Sequence, residues 1–418
     1  MPKQILFSVR HDHTLIGLFE DEKLVELFLD RPDQESSVGN IYIGKVTKIL
    51  ENIQSAFVDL GIGKDGFLPG DDAFTGDRPR GRGKKPTIQS RLKNGQTIAV
   101  QVQKDEIADK GKKLSMDLSL PGRYLVLMPY HKETNISKRI SDKDERKRLQ
   151  EILEGIKGSE GLGWIVRTSS EGVVKKELER DARDLIKKWQ SIQKEIDRCK
   201  KPTLIHTELT PIEQVLRDHY SKDFNAILVD NLRVKQHIDR FIRSLSPMRF
   251  IQRKVTEYLE PDRLMERYGF RRELQKALDR RVWLKSGGYL IIEEAETLTA
   301  IDVNTGKTTK SGDQQKTLRQ TNIEAAEEIA RQLRLRSIGG IIVIDFIDMK
   351  TKRDNNQVMQ ILQKGLNADK AASDVTTFSE IGLVQITRQR TGESLALLLS
   401  EECPHCKGSG RILTHHSD

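Results

Sequence analysis

Aromatic residues, cysteines and long apolar runs are all scarce in this chain of 418 residues. The three cysteines, Cys199, Cys403 and Cys406, are too few and too unevenly spaced for a disulfide framework, which agrees with a reducing compartment. The longest apolar run, residues 341–347, is far shorter than the ~20 residues that cross a bilayer, and the first residues show no apolar signal-peptide region. These absences exclude a disulfide-built secreted domain and a membrane-spanning helix, so we expect a cytoplasmic protein.

Charge, by contrast, is abundant. Lys and Arg total 71 against 62 Asp and Glu, which gives a net charge of +9. A basic balance favours polyanionic partners such as nucleic acids, although many unrelated proteins are equally basic. The length and the 36% hydrophobic content are sufficient for two or more domains with cores of their own.

The spacing of apolar residues predicts several kinds of local structure. Short strands separated by glycine-rich turns recur over residues 40–117, a pattern typical of a small β-barrel, and the Arg-, Lys- and Gly-rich residues 75–93 are expected to form a solvated basic loop within it. Helical periodicity covers residues 143–155, 173–200 and 260–278. From residue 282 onward, strands and helices alternate, which indicates α/β layering.

Two aspartates, Asp302 and Asp345, lie in strands that are otherwise apolar. An unpaired carboxylate costs several kcal/mol to bury, so such positions indicate a metal, a cationic partner or a strand end at a functional site. Mg²⁺ binds one or two carboxylates together with waters and substrate phosphates, and Asn304, on the same strand face as Asp302, offers a neutral oxygen or a donor. On spacing alone, a metal site and a pair of salt-bridged aspartates are equal alternatives.

Near the C-terminus, Cys403 and Cys406 form a Cys-x-x-Cys motif flanked by glycines. Two thiolates are half of a tetrahedral zinc site, and the other ligands within one chain would come from His405, His415, His416 or the distant Cys199. A redox dithiol is the main alternative. Because no thioredoxin-like βαβ pattern surrounds the motif, zinc is favoured.

Several sequence blocks resemble the ribonuclease E/G family of bacterial endoribonucleases. They are residues 286–290, 300–306, 322–326 and 339–349, in the order that the family has them. The resemblance covers almost the whole chain, although its opening matches only loosely. It implies Mg²⁺-dependent cleavage of single-stranded RNA to 5′-phosphate and 3′-hydroxyl ends, in ribosomal RNA processing and messenger RNA decay, with stimulation by a 5′-monophosphate. The alternative is a non-catalytic RNA-binding or RNA-processing accessory protein, which would not need the acidic set.

The resemblance also assigns roles to the acidic and cysteine residues. Asp302 and Asp345 would hold the catalytic Mg²⁺, while Asn304 would position the scissile phosphate or the attacking water. Cys403 and Cys406 would bind one structural Zn²⁺ together with the same pair of a second chain, which implies a homodimer.

RNA contacts are implied at three positions of the barrel region. Phe57 and Phe67 match aromatic residues that stack on RNA bases, and Lys110 matches a basic residue that contacts RNA near the scissile bond. From the residues alone, the two phenylalanines would be assigned to the barrel core and Lys110 to a solvated turn.

A pocket for a 5′-monophosphate is implied downstream of the barrel. Arg167 and Thr168 would bind the terminal phosphate through their side chains, and Gly122 and Val126 through the main chain. Arginine suits this task because its planar fork can bind a phosphate bidentately. Residues 387–390 keep the basic pair, Arg388 and Arg390, that the family has near its RNA contact surface.

The resemblance implies an α+β multidomain architecture. An RNase H-like subdomain would comprise residues 1–37 and 212–278, with an OB-fold RNA-binding barrel (38–117) and a 5′ sensor (118–211) inserted between its parts. A DNase I-like catalytic domain (279–399) would follow, and then a zinc link and tail (400–418).

Overall fold

The structure is a computed structural model that describes residues 3–31, 36–76, 87–106, 111–220, 224–245, 255–258, 261–306, 314–379, 381–406, 408 and 410. The chain divides into two units. One unit consists of Asp33–His219, and the other consists of Met1–Pro32 together with Tyr220–Asp418. The first of these is thus inserted, along the chain, into the second.

Strands and helices alternate irregularly along the described residues. The strands, in chain order, are β1 (Lys3–Val9), β2 (Thr14–Glu20), β3 (Lys23–Asp30), β4 (Ile41–Leu50), β5 (Ser55–Asp59), β6 (Gly66–Pro69), β7 (Thr97–Lys104), β8 (Lys113–Ser115), β9 (Leu120–Pro121), β10 (Leu125–Met128), β11 (Thr134–Ile136), β12 (Gly163–Val166), β13 (Thr203–His206), β14 (Phe224–Val229), β15 (Val255–Glu257), β16 (Arg281–Trp283), β17 (Tyr289–Glu294), β18 (Leu298–Asn304), β19 (Gly340–Asp345), β20 (Ser373–Val375) and β21 (Leu383–Arg388). The α-helices are α1 (Lys143–Glu154), α2 (Lys175–Arg198), α3 (Pro211–His219), α4 (Leu232–Leu245), α5 (Pro261–Arg267), α6 (Phe270–Leu278), α7 (Gln314–Leu335), α8 (Lys352–Asn367) and α9 (Leu395–Leu399). None of the helices in this described part of the chain combines the length and the apolar character that a membrane crossing requires.

In the unit Asp33–His219, five strands close into a barrel. Their order is β4-β5-β6-β8-β7, and β7 returns to pair with β4, while β13 pairs with β4 from outside the ring. Val58, Leu68 and Leu114 are fully buried inside it. The predicted barrel is therefore confirmed, although the short strand β8, which closes it, was not recognised because three residues carry too little alternation to predict a strand.

The remainder of this unit combines a small sheet with two helices. The sheet has the order β11-β12-β10-β9. The predicted helices are confirmed as α1 and α2, and α2 buries Leu178, Leu185 and Trp189 on one face. This spacing follows the helical period, so the charged residues of α2 lie on the opposite, exposed face.

In the other unit, one sheet has the strand order β15-β14-β1-β2-β3. β1, β2 and β3 form an antiparallel meander, while β14 runs parallel to β1 and β15 parallel to β14. Because β14 lies beside β1, this sheet joins segments that are far apart in the sequence. Its RNase H-like assignment stays a prediction.

The second sheet of this unit carries the two aspartates of interest. Its order is β16-β17-β18-β19-β21-β20, with β18 and β19 parallel and joined through α7. On one face, Ile301, Val303 and Ile344 belong to a buried core with residues of α7 and α8. Alternate residues of the same strands point to the other face, where Ile341 is 53% exposed. The predicted α/β layering is confirmed, and one sheet face remains open to solvent.

The helix predicted over residues 260–278 differs from the observed structure. It consists of two helices, α5 and α6, with Gly269 between them at a φ of 56°. This left-handed conformation costs glycine little but interrupts a right-handed helix. The apolar period continues across the break, which is why the pattern alone predicted one helix.

Candidate active site

Asp302 and Asp345 are direct neighbours across two parallel strands. Asp302 on β18 is the Cα partner of Asp345 on β19, so both side chains leave the sheet on the same face. Both residues are exposed. The carboxylates are not buried, because each strand buries only alternate residues and the apolar residues on the aspartate face are themselves exposed or half-exposed.

Asn304 completes a polar group at the end of β18. Its side-chain Nδ2 donates a hydrogen bond of 2.7 Å to Asp302 Oδ2. The bond fixes the orientation of the Asp302 carboxylate. Asp348, three residues beyond Asp345, is exposed but lies outside the paired strands.

The chemistry of this group fits a hard divalent cation. Two carboxylates on one face, with a carboxamide beside them, offer the oxygen ligands that Mg²⁺ prefers, and the open sheet face leaves room for waters and substrate phosphates. Among the residues that the structure describes, no group of three or more His, Cys, Asp or Glu could hold a metal.

Asn322 positions the segment that follows Asp345, and the sequence analysis did not single it out. This buried residue of α7 donates from Nδ2 to Ile347 O at 2.7 Å and accepts from Ile347 N at 3.1 Å. Two opposed hydrogen bonds fix the backbone two residues beyond the aspartate. The sequence does contain a signal for this role, because Asn322 is a polar residue on the apolar side of a helix.

Phe57 and Phe67 lie side by side on the outside of the barrel. They are Cα partners on β5 and β6, and their ring centroids are 6.0 Å apart at an interplanar angle of 61°. Both are half-buried, whereas Ala56 and Leu68 beside them point into the core. The pair is thus accessible to a base. Lys110 lies outside the described residues, as do residues 77–86 of the predicted basic loop. The prediction of a solvated loop is wrong for the described end of that segment, where Ile88 and Leu92 are buried in the barrel core.

Arg167 is held by two acceptors at the end of β12. Its Nη1 donates to Gly122 O at 2.8 Å and to Asp218 Oδ1 at 2.6 Å. Next to it, the hydroxyl oxygens of Thr168 and Ser137 are 2.9 Å apart. The structure therefore brings Arg167, Thr168 and Gly122 together, and the phosphate pocket stays a prediction.

Val126 and the Gly122 amide are less available than this pocket needs. Val126 is a half-buried residue within β10, and Gly122 N donates to Leu125 O at 2.8 Å. The absence of a Cβ at Gly122 is required, because a Cβ would lie 2.8 Å from both carboxylate oxygens of Asp181. Asp181 in turn accepts from the amides of residues 123–125 and so fixes this turn.

Asp218 contacts Arg167 and was not singled out from the sequence. It accepts from Arg167 and also from Arg217 Nε at 2.9 Å. Burial by itself raises the pKa of Asp218, but the hydrogen bonds and charges of Arg217 and Arg167 outweigh burial and hold that pKa well below its usual range. Asp218 is therefore an anion at any physiological pH, and it orients the guanidinium of Arg167.

The chain is similar to known proteins over nearly its whole length. Residues 119–391 match the Ribonuclease E/G family. The chain belongs to the ribonuclease E/G family. It is 38% identical to ribonuclease G of Haemophilus influenzae, over 98% of this chain and 84% of that protein. It is 36% identical to ribonuclease G of Escherichia coli over 99% of this chain and 85% of that protein, and 38% identical to ribonuclease E of a Nostoc species over 99% of this chain but 59% of that protein.

The ribonuclease E/G match includes both the Arg167 pocket and the aspartate pair, and the matched relatives extend across the barrel and the cysteine motif. In that motif Cys403 is exposed and Cys406 half-buried. Hydrogen bonds from the backbone amides of Cys406 and His405 lower the pKa of the Cys403 thiol, which favours the thiolate that zinc binds. His415 and His416 lie outside the described residues.

One basic pair of this ribonuclease E/G chain is placed differently from the expectation. Arg388 is only 4% exposed, because it lies on the inward face of β21, where its Nε donates to Asp369 Oδ2 at 2.7 Å. Its Nη1 donates to Ile338 O at 2.7 Å. Arg388 is thus a structural cation, and only Arg390 of the pair is exposed.

Proposed function

We propose that this protein is a Mg²⁺-dependent endoribonuclease that cleaves single-stranded RNA and leaves 5′-phosphate and 3′-hydroxyl ends. Membership of the ribonuclease E/G family supports the endoribonuclease activity. The observation that carries the proposal is the pairing of Asp302 with Asp345 across two parallel strands, on an open sheet face with Asn304 beside them. We place its action in the cytoplasm, in ribosomal RNA processing and messenger RNA decay.

Asp302 and Asp345 would hold the ion at this face. When bound, Mg²⁺ supplies Lewis-acid polarisation of a phosphoryl oxygen and lowers the pKa of water. Asn304 keeps the Asp302 carboxylate oriented, and Asn322 fixes the backbone beyond Asp345. The open face admits a polynucleotide.

The barrel supplies a second place for RNA to bind. Phe57 and Phe67 present two half-exposed rings on adjacent strands, and each base stacked on such a ring contributes ~1–3 kcal/mol without selecting a sequence. Lys110 is proposed as a further RNA contact because the family has a basic residue at the matching position.

The test is cleavage by the purified chain. With Mg²⁺ present, a single-stranded oligoribonucleotide should be cut internally, and the downstream product should carry a 5′-phosphate that a 5′-phosphate-dependent exonuclease can degrade. Chelation with EDTA should stop the reaction and added Mg²⁺ should restore it. Binding of the oligonucleotide without cleavage under all metal conditions would favour the accessory RNA-binding protein instead.

A 5′-monophosphate is proposed to stimulate cleavage by binding to the side chains of Arg167 and Thr168. The Gly122 amide already donates to Leu125 O, so the side chains carry the proposed contact. Replacing Arg167 by glutamine should reduce the preference for a 5′-monophosphate over a 5′-hydroxyl substrate to near unity, because the charged fork that binds the phosphate is lost. The measurement is the ratio of kcat/KM for the two substrates.

The control for this prediction is Arg183→Gln. Arg183 lies on α2, and the hydrogen bond recorded from its Nε goes to the backbone oxygen of Glu179. This variant should keep the wild-type ratio. An unchanged ratio in the Arg167 variant would remove the 5′ sensor from the proposal while leaving the nuclease in place.

We further propose that Cys403 and Cys406 of two chains bind one structural Zn²⁺ and so form a homodimer. Four thiolates complete a tetrahedral site that no group of ligands within the described residues of one chain completes. Native mass spectrometry should find one Zn²⁺ per two chains, and Cys403→Ser should yield zinc-free monomers. One Zn²⁺ per single chain would instead indicate completion by histidines.

A further inference from the structure

Trp283 is conspicuously exposed for a tryptophan. The chain has three tryptophans, of which Trp164 and Trp189 are 2% and 9% exposed, whereas Trp283 is 64% exposed. A ring of this size on a sheet face leaves a large apolar area in water, and tryptophan with one polar edge is typical of binding surfaces. The ligand that this indole binds can be inferred from the residues on the same sheet face.

Trp283 lies on the same face of the sheet as the paired aspartates. Along one row of neighbouring strands, Trp283 pairs with Tyr289, and Tyr289 pairs with Asn304. Cross-strand partners point to the same face, so the indole, the phenol and the Asn304 carboxamide share that face.

The adjacent row of the same face contains the charged groups. Arg281 pairs with Ile291, Ile291 with Asp302, and Asp302 with Asp345. With ~4.8 Å between neighbouring strands, the strand of Trp283 lies about 10 Å from that of Asn304 and Asp302. One strand of RNA can therefore contact Trp283 and the aspartate pair at the same time.

The aromatic residues form a cluster with a cation. The rings of Trp283 and Tyr289 meet edge to face, with centroids 5.4 Å apart and an interplanar angle of 60°. The guanidinium of Arg281 lies 4.6 Å from the centroid of Tyr289 and 5.6 Å from that of Trp283. Tyr289 is half-buried, so it supports the indole from one side while the indole stays accessible.

The geometry points to a nucleobase-stacking subsite formed by Trp283, Tyr289 and Arg281, which holds a base of single-stranded RNA beside the phosphodiester at Asp302 and Asp345. This inference rests on the proposed function and adds a substrate contact to that site. An aromatic ring accompanied by a guanidinium matches the two parts of a nucleotide, since the ring stacks on the base and the cation attracts the phosphate. A protein partner could also cover an exposed indole. It would give no reason for Trp283 to lie on the same sheet face as Asp302 and Asp345, in rows of paired residues next to them.

Binding can be measured independently of cleavage. In EDTA, titration with a 5′-hydroxyl single-stranded oligoribonucleotide should quench the tryptophan emission, because Trp283 is accessible while Trp164 and Trp189 are buried. The quenching should be absent in Trp283→Phe, which retains an aromatic ring for stacking but removes the reporting indole.

Affinity should follow the aromatic ring. Trp283→Ala should weaken binding roughly 5- to 100-fold, measured by fluorescence anisotropy of a labelled oligonucleotide, whereas Trp283→Phe should stay close to wild type. With Mg²⁺, the Ala variant should show a raised KM at a nearly unchanged kcat, because stacking binds substrate and transition state alike. Since Trp283 is exposed, both variants should unfold at the wild-type temperature.

The control variant is Leu232→Ala, which removes another exposed apolar side chain, 51% exposed, at the start of α4. It should bind RNA as the wild type does. An oligonucleotide with abasic positions provides the second control, because the loss caused by Trp283→Ala should disappear when there is no base to stack.

Each contrary result has a definite meaning. If Trp283→Ala binds and cuts RNA like the wild type, the stacking subsite is refuted. The subsite is also refuted if Trp283→Ala weakens the binding of abasic RNA as much as that of intact RNA, or if Leu232→Ala weakens RNA binding to the same extent. If the wild type binds RNA through Trp283 but cuts none of it, the proposed nuclease fails while the subsite stands.

Discussion

Replacing Asp302 by asparagine is expected to lower kcat for RNA cleavage by on the order of 10³-fold, because the change removes one of the two negative charges that would hold the proposed Mg²⁺. Asparagine has nearly the same shape, and position 302 is exposed, so the fold should be unaffected. RNA affinity measured in EDTA should change little. Asp345→Asn should have the same effect, since the two carboxylates face the same side of paired strands.

Two further variants show whether the effect is specific to the paired aspartates. Asn304→Ala should lower activity by only about 10- to 100-fold, because the hydrogen bond to Asp302 orients a ligand without being one. Asp348→Asn, an exposed aspartate on the same stretch, should cut at the wild-type rate. Persistent cleavage by both the Asp302 and the Asp345 variants would place the active site elsewhere.

The expected metal dependence gives this prediction a second readout. If the aspartates hold Mg²⁺, a higher concentration of the ion should partly restore Asn304→Ala, whose defect is weakened binding of the ion, but should restore the Asp302 variant far less. Rate measurements over a Mg²⁺ titration therefore separate the orienting residue from the ligand.

The sequence could predict the elements around this site better than the exposure of its residues. Strand alternation located β18 and β19, and the carboxylates were recognised as anomalous within them. Which face was buried depended on α7 and α8, which cover the side carrying Ile301 and Ile344 and leave the aspartates outside. Apolar residues on both faces of a strand conceal that difference in a one-dimensional pattern.

Contacts between residues that are distant in the sequence could not be predicted from the sequence either. Asp218 lies 51 residues from Arg167, and nothing in either local pattern links them. Trp283 likewise reads as an ordinary strand residue until the strand pairing places it on the face of Asp302. The strand pattern identified the candidate ligands and the family resemblance favoured a metal, but the residues that orient them were visible only from the contacts.

The buried ion pair between Arg388 and Asp369 allows a prediction about the stability of the protein. Replacing its partner Asp369 by alanine is expected to destabilise the unit by ~3–5 kcal/mol, because an arginine that is 4% exposed would keep its charge without a counter-ion. Asp369 Oδ1 also accepts from Ala371 N at 3.0 Å, so the variant loses a backbone hydrogen bond as well. Urea unfolding followed by circular dichroism measures the loss.

The double variant Asp369→Leu with Arg388→Met should be much closer in stability to the wild type than Asp369→Ala, because replacing a buried ion pair by apolar residues removes both the charge and the need for its partner.

Glu151→Ala is the matched control. It breaks an exposed ion pair, in which the side chains of Glu151 and Lys147 are 64% and 78% exposed, so no measurable change in stability is expected. A double variant as unstable as Asp369→Ala would mean that the hydrogen bond from Ala371 N to Asp369 Oδ1, which both variants lose, accounts for the destabilisation rather than the unpaired charge of Arg388. A folded Arg388→Met variant that binds RNA more weakly would return Arg388 to the RNA surface, whereas unchanged binding is expected from its burial on the inward face of β21.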